Sequence, residues 1–148
     1  MQIQTADPSH LDLLLPLFAA YQRFYRAQPD EARNRAFLAR LLATLDLGVQ
    51  YLALGNQGPL GFATLYFPLS SVSAQPSCLL NDLFVIPKAR GAGTGRALIE
   101  RARQHAAEAR YATLRWQTEQ ANETAQRLYD GLGTTRTAWF TYSLPTGV

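Results

Sequence analysis

Cysteine occurs once in the chain, at Cys78, so neither an intramolecular disulfide framework nor a multi-cysteine metal site can be built from it. That scarcity suits a reducing compartment. Histidine is nearly as rare, and His10 and His105 have no neighbours in sequence that suggest metal or nucleophilic chemistry. No metal is therefore expected. Lys and Arg exceed Asp and Glu by 14 to 11, a formal charge of +3, but they are scattered and form no run of the kind that marks a nucleic-acid tail. A nucleic-acid-binding domain would bind with steep salt dependence, and nothing in this charge pattern calls for it. Met1 to Asp7 lacks a basic region followed by an apolar core, and no apolar run is long enough to span a bilayer. The chain reads as cytoplasmic, with no membrane partner.

What is present is ordinary for a folded protein: 148 residues, 47% hydrophobic and 17% charged, enough for one domain over residues 1–148 with a single core. A mild positive excess near a cleft would raise the local concentration of a small polyanion.

Met1 to Ala6 alternates like a short strand, and Asp7-Pro8 supplies a cap with proline at the first helical position. Leu11, Leu14, Leu15, Phe18, Tyr21 and Tyr25 recur at helical spacing around Pro16, and Pro29-Asp30-Glu31 opens a second helix through Leu42. Val49 to Leu54 and Leu60 to Leu69 form a hairpin about Gly55-Asn56-Gln57-Gly58. After the polar stretch Ser70 to Pro76, Cys78 to Ile86 reads as a central strand with two polar residues, Asn81 and Asp82, in its middle. A helix from Arg96 to Ala109, a strand from Tyr111 to Thr118, a short helix from Asn122 to Tyr129 and an aromatic-rich strand from Thr134 to Leu144 complete the pattern. The order β-α-α-β-β-β-α-β-α-β predicts an α/β (α+β) fold, a mixed sheet with helices on both faces.

Between the central strand and its helix stands Arg90-Gly91-Ala92-Gly93-Thr94-Gly95-Arg96. Glycines let the backbone approach a ligand, and the helix that follows offers unpaired N–H groups and a partial positive charge, a cradle for a pyrophosphate. The alternative is a tight turn that binds nothing. Arg96-Ala97 stands where a P-loop needs Lys followed by Ser or Thr, and Arg96 also occupies the last glycine of a dinucleotide fingerprint, so neither pattern fits.

The R-x-x-G-x-G pattern of Arg90, Gly93 and Gly95, behind Leu83-Phe84-Val85 and Pro87, closely resembles the acetyl-CoA-binding motif of the GCN5-related N-acetyltransferases. The resemblance implies a mostly antiparallel twisted sheet, with Arg90 to Arg96 holding the pyrophosphate of acetyl-CoA and Phe84 and Val85 binding the pantetheine arm as an added strand. Downstream, Asn122, Ala125, Leu128-Tyr129 and Gly131 resemble the family's second signature. Asn122 would cap a helix and meet the cofactor arm. Tyr129, two turns along the same face, would protonate the departing thiolate. Taken singly, Asn122 could be an ordinary cap and Tyr129 a core aromatic; at this spacing behind the glycine loop, the functional reading is preferred.

Acylating an amine requires that its nitrogen lose a proton, and Asp82 is the candidate base. A carboxylate inside an apolar strand is costly, which a catalytic role or a β-bulge would explain. The segment resembles the polyamine and thialysine acetyltransferase branch, where an acidic pair stands; here its first member is Asn81, so either Asp82 substitutes or water relays the proton to another carboxylate. Tyr21, Phe24, Tyr25 and Asn81 are candidate acceptor-binding residues for a small-molecule amine, although the aromatics could equally pack helix against sheet. The resemblance also implies a homodimer, to which Thr137 to Leu144 could lend an edge. A non-catalytic CoA-binding or acyl-CoA-sensing module is the competing reading, and turnover separates the two.

Overall fold

The computed structural model describes residues 1–147. They fall into two compact units, Met1–Gln117 and a second that begins at Thr118. The first contains β1 (Gln2–Thr5), a 3-10 turn (Pro8–His10), α1 (Leu11–Phe24), α2 (Glu31–Ala43), β2 (Val49–Gly55), β3 (Gly58–Tyr66), the two-residue strands β4 (Leu69–Ser70) and β5 (Gln75–Pro76), β6 (Cys78–Val85), a second 3-10 turn (Pro87–Ala89), α3 (Thr94–Glu108) and β7 (Leu114–Arg115). The second holds α4 (Glu123–Asp130).

The helices start where the capping residues stand. Asp7 accepts from the Ser9 N–H at 2.8 Å and from the His10 ring, which also meets the Gln4 amide at 2.6 Å. Asp30 accepts from the Arg33 N–H at 2.9 Å and opens α2. These bonds satisfy N–H groups that a helix start leaves without partners. Asn34, buried on α2, exchanges two amide hydrogen bonds with Gln22 on α1 at 2.7 and 2.9 Å, which fixes the two helices against each other.

The main sheet runs β1-β2-β3-β6-β7, antiparallel except for the last pair. Helices α1 and α2 cover one face, packing Leu14, Leu15, Leu17, Leu38 and Leu42 against Leu52, Phe62 and Phe84. Strand alternation turns Tyr51 to the opposite face, where its hydroxyl meets His105 of α3 at 2.7 Å and its ring lies 4.8 Å below the Arg101 guanidinium. His105 thus serves the packing of α3 on the sheet. The expected mixed, mostly antiparallel sheet with helices on both faces is the one observed.

Two strands differ from expectation. Tyr111 to Thr118 forms a ladder only at Leu114–Arg115, and Thr134 to Leu144 forms no strand at all. In that segment Trp139, Phe140, Tyr142 and Leu144 stand between 85% and 91% exposed. The residue types favour strands, but such preference expresses fit to a half-buried pleated surface, and these side chains have no such surface.

One glycine is dictated by contact between strands. A Cβ on Gly61 would sit 2.2 Å from the Phe84 carbonyl oxygen and 3.1 Å from the Val85 Cα, both backbone atoms that cannot swing away. Gly61→Ala should therefore push β3 from β6 and cost at least about 2 kcal/mol of unfolding free energy. An unchanged urea midpoint would contradict this.

Candidate active site

Strand β6 carries a bulge where its sequence looked wrong for a core strand. Thr64 pairs with Asp82 but Leu65 pairs with Leu80, so Asn81 has no partner on β3. Residues opposite one another share a face, hence Leu80 joins Leu65 on the α3 side while Asp82 and Phe84 join Thr64 and Phe62 on the α1 side. Cys78, two residues before Leu80, also turns to the α3 side, and burial pushes its thiol up to about 11. Without the extra residue, the alternation of Cys78 and Leu80 would put Asp82 on the face of α3.

Asp82 is only 6% exposed. Burial raises the proton affinity of its carboxyl, and hydrogen bonds from the Tyr21 hydroxyl, the Thr64 hydroxyl and the Asn81 amide work against that rise. The Asn81 Nδ2 donates to Oδ1 at 2.9 Å. Tyr21 is itself raised well above the usual phenol range, by burial first and then by the Asp82 charge, and so remains a donor through neutral pH. Tyr66, from β3, is pushed up to about 12 by the same two causes. Around this carboxyl lies an aromatic wall: Tyr21 and Tyr25 at 5.0 Å, Phe24 and Tyr25 at 5.1 Å, and Tyr21 edge-on to Phe84 at 6.2 Å.

Three residues along the strand from Asp82, about 10 Å, the outer edge of β6 is open. It meets β7 only at Cys78–Leu114 and Leu79–Arg115, and from Leu80 on no strand of the described residues lies against it. The Ile86 N–H donates to Leu60 O at 2.9 Å, toward β3, so alternation turns the backbone groups of Val85 outward and those of Phe84 inward. Phe84 also has its side chain in the core. Of the two residues assigned to the arm, Val85 is the one whose peptide groups face the free edge.

The glycine loop follows. Gly91 and Gly93 adopt φ of 77° and 83°, a left-handed region that disfavours other residues, and a Cβ at either would meet nothing within 4 Å. Packing does not demand glycine there; the conformation does, and the space above it is open. Gly93 is the N-cap of α3 and no side chain caps the helix. The Ala97 N–H donates to Gly93 O at 3.0 Å and closes the first turn of α3, whose N-terminal end carries the partial positive charge that favours an anion. Thr94 is buried and reaches Ala89 O at 3.4 Å, bracing the loop from below, whereas Ala92 is exposed and Gly95 half-buried on the first turn. Arg90 folds back: its Nε donates to Val85 O at 3.0 Å and its guanidinium lies 5.7 Å from the centroid of the Phe24 ring. Arg96 is exposed on the first turn of α3.

The structure thus gathers Tyr21, Asn81 and Asp82 into one cluster and Phe24, Val85 and Arg90 into another. Asn122 and Tyr129 belong to the second unit, where Asn122 is the N-cap of α4, its Oδ1 accepting from the Ala125 N–H at 3.2 Å, and Tyr129 lies seven residues on. Thr64, Tyr66 and Gln50 were not evident from sequence. Each is an ordinary strand residue until the register is known.

The profile of the acetyltransferase (GNAT) family matches residues 14–134, and the chain belongs to that family. It is 38% identical over 133 residues to an uncharacterized N-acetyltransferase, YhfO, of Bacillus subtilis, covering 90% of this chain and 89% of that one. A crystal structure of a probable acetyltransferase superposes with a TM-score of 0.88 at 35% identity, covering 100% and 99% of the two chains. An aminoglycoside N-acetyltransferase, AAC(6')-Iy, solved in complex with CoA, shares the fold at a TM-score of 0.85 and 18% identity, over 98% of this chain and 94% of its own.

The buried carboxyl has a consequence for stability. Folded protein binds the Asp82 proton more tightly than unfolded chain, so stability falls as pH rises from about 3.8 through the raised folded value and stays lower above it. Asp82→Asn should therefore raise the melting temperature at neutral pH, with the gain shrinking toward zero below pH 4. A variant less stable than wild type at pH 7 would contradict this.

Proposed function

We propose that the whole chain is one N-acetyltransferase domain that moves an acetyl group from acetyl-CoA to a primary amine by direct attack in a ternary complex. The observation that carries this reading is a buried carboxylate, Asp82, placed on the same strand as an open edge and an uncapped, glycine-led helix start. The loop's left-handed glycines and the open space above them fit a pyrophosphate, and the open outer edge of β6 beyond Leu79 fits an amide-bearing arm.

Acetyl-CoA supplies the acetyl group as a thioester. Asp82 accepts the proton that an ammonium substrate must lose, while Tyr21 and Asn81 hold its carboxylate. The Val85 N–H polarises the acyl carbonyl, and Tyr129 returns a proton to the departing thiolate. Much of the acceleration is positioning. Asn122, the N-cap of α4, is assigned to the cofactor arm by the family resemblance. Tyr21, Phe24 and Tyr25 offer ring faces and Asp82 a negative charge, a combination that favours a cationic small amine of polyamine-like or amino-acid-like kind. The amino-acid sequence adds a cytoplasmic location to this reading and the family resemblance a homodimer; neither property enters the chemistry.

Gly93→Val fills the open space with a branched side chain at a φ that only glycine tolerates cheaply. It should abolish acetyl-CoA binding by calorimetry while the far-UV spectrum stays native; retained affinity would refute the cradle. Tyr129→Phe should lower kcat roughly a hundredfold with acetyl-CoA affinity nearly unchanged, and an undiminished kcat would remove Tyr129 from the mechanism.

A further inference from the structure

Three polar side chains lie in line across three neighbouring strands beneath α1 and α2. Gln50 on β2 is opposite Thr64 on β3, and Thr64 is opposite Asp82 on β6. Gln50 is 2% exposed and Thr64 0%, so none of this row is kept for solubility. The next row on the same face, Leu52, Phe62 and Phe84, is wholly apolar. A buried polar side chain costs free energy unless its hydrogen bonds offset that cost.

The bonds have a direction. Gln50 Nε2 donates to Thr64 Oγ1 at 3.0 Å. A hydroxyl has one proton and two lone pairs, so Thr64, having accepted, keeps its proton to give, and the side chain opposite it on the same face is the Asp82 carboxylate, whose proton affinity that hydroxyl lowers. The opposite orientation of the amide would put Oε1 against Thr64, take that proton, and leave Asp82 with one donor fewer. In the observed orientation Gln50 Oε1 is buried with no partner among the described residues. The row therefore keeps an unsatisfied acceptor at its far end while its near end directs a donor at the carboxylate.

We propose that Thr64 and Gln50 are positioning residues for Asp82: they relay a hydrogen bond across three strands that holds the carboxylate in its ionised form and aims it toward the acceptor side. The groups that face Asp82 are Tyr21 from α1, Thr64 and Tyr66 from β3, and Asn81 from its own strand. Tyr21 and Asn81 supply donors from the helix and from the bulge; Thr64 is the donor that comes from within the sheet. Donation from Gln50 polarises the Thr64 O–H and strengthens the bond it passes on. The proposal rests on the reading of Asp82 as the base, but its direct test does not use activity.

The carboxyl carbon of Asp82 is titrated by NMR in 13C-aspartate-labelled protein, its signal assigned by its loss in Asp82→Asn. Thr64→Val, which keeps shape and removes the hydroxyl, should raise the Asp82 midpoint by about one pH unit. Gln50→Leu should raise it by less, and Thr64→Ser should restore the wild-type value. The acidic limb of kcat/KM should move upward with the NMR midpoint. A midpoint that is the same in Thr64→Val and wild type, or a Thr64→Ser variant shifted as far as Thr64→Val, overturns the relay. Should Thr64→Val fail to fold, Gln50→Leu alone decides: an unmoved midpoint refutes the proposal. An Asp82 that titrates as proposed in an enzyme whose kcat/KM has no acidic limb would instead sink the assignment of Asp82 as base.

Discussion

A carboxylate cannot lie in the middle of an apolar sheet unless hydrogen bonds hold it, and the cluster around Asp82 is organised by that requirement. Burial opposes ionisation, while Tyr21, Thr64 and Asn81 each return part of what burial removes. The bulge at Asn81 chooses which face the carboxyl meets. It sets Asp82 under α1, where Tyr21 can reach it, while Leu80 and Cys78 remain with the face of α3. One extra residue in a strand thus decides which helix faces the one buried acid of the first unit's sheet.

The same strand links that acid to the anion cradle. β6 loses its outer neighbour after Leu79, turns the peptide groups of Val85 outward, and passes through Arg90 into a helix that begins on a left-handed glycine with no side-chain cap. Arg90 braces this end twice, through its bond to Val85 O and its stacking near Phe24, so the loop is tied to both β6 and α1. Positive φ and an uncapped helix start are local features with local costs. They recur together where a backbone has to approach a phosphate, which is why the family's motif is read from so few residues.

Much of this arrangement is legible in the amino-acid sequence itself. The glycine spacing, the capping residues Asp7, Asp30 and Asn122, the hairpin at Gly55 to Gly58 and the two polar residues inside a core strand are all statements about local backbone chemistry, which sequence carries directly. The interruption at Asn81 and Asp82 allows either a catalytic role or a bulge, and the register shows the bulge. What sequence hides is register: Gln50, Thr64 and Asp82 are 14 and 18 residues apart and become one row only when three strands are paired. Likewise Phe84 and Val85 are equivalent in sequence until the alternation of hydrogen bonds tells inward from outward. The aromatic run from Thr134 to Leu144 misleads because strand preference measures a surface to pack on, and that segment stands exposed.

The central claim is acetyl transfer from acetyl-CoA to an amine, and the most direct test is thiol release from acetyl-CoA across a panel of polyamines, amino acids, aminoglycosides and peptides. The account predicts turnover with at least one cationic small amine and an acidic limb in its pH profile above the ordinary carboxylate range. Binding of acetyl-CoA with no thiol release for any amine in the panel would contradict it and favour a module that only binds the cofactor.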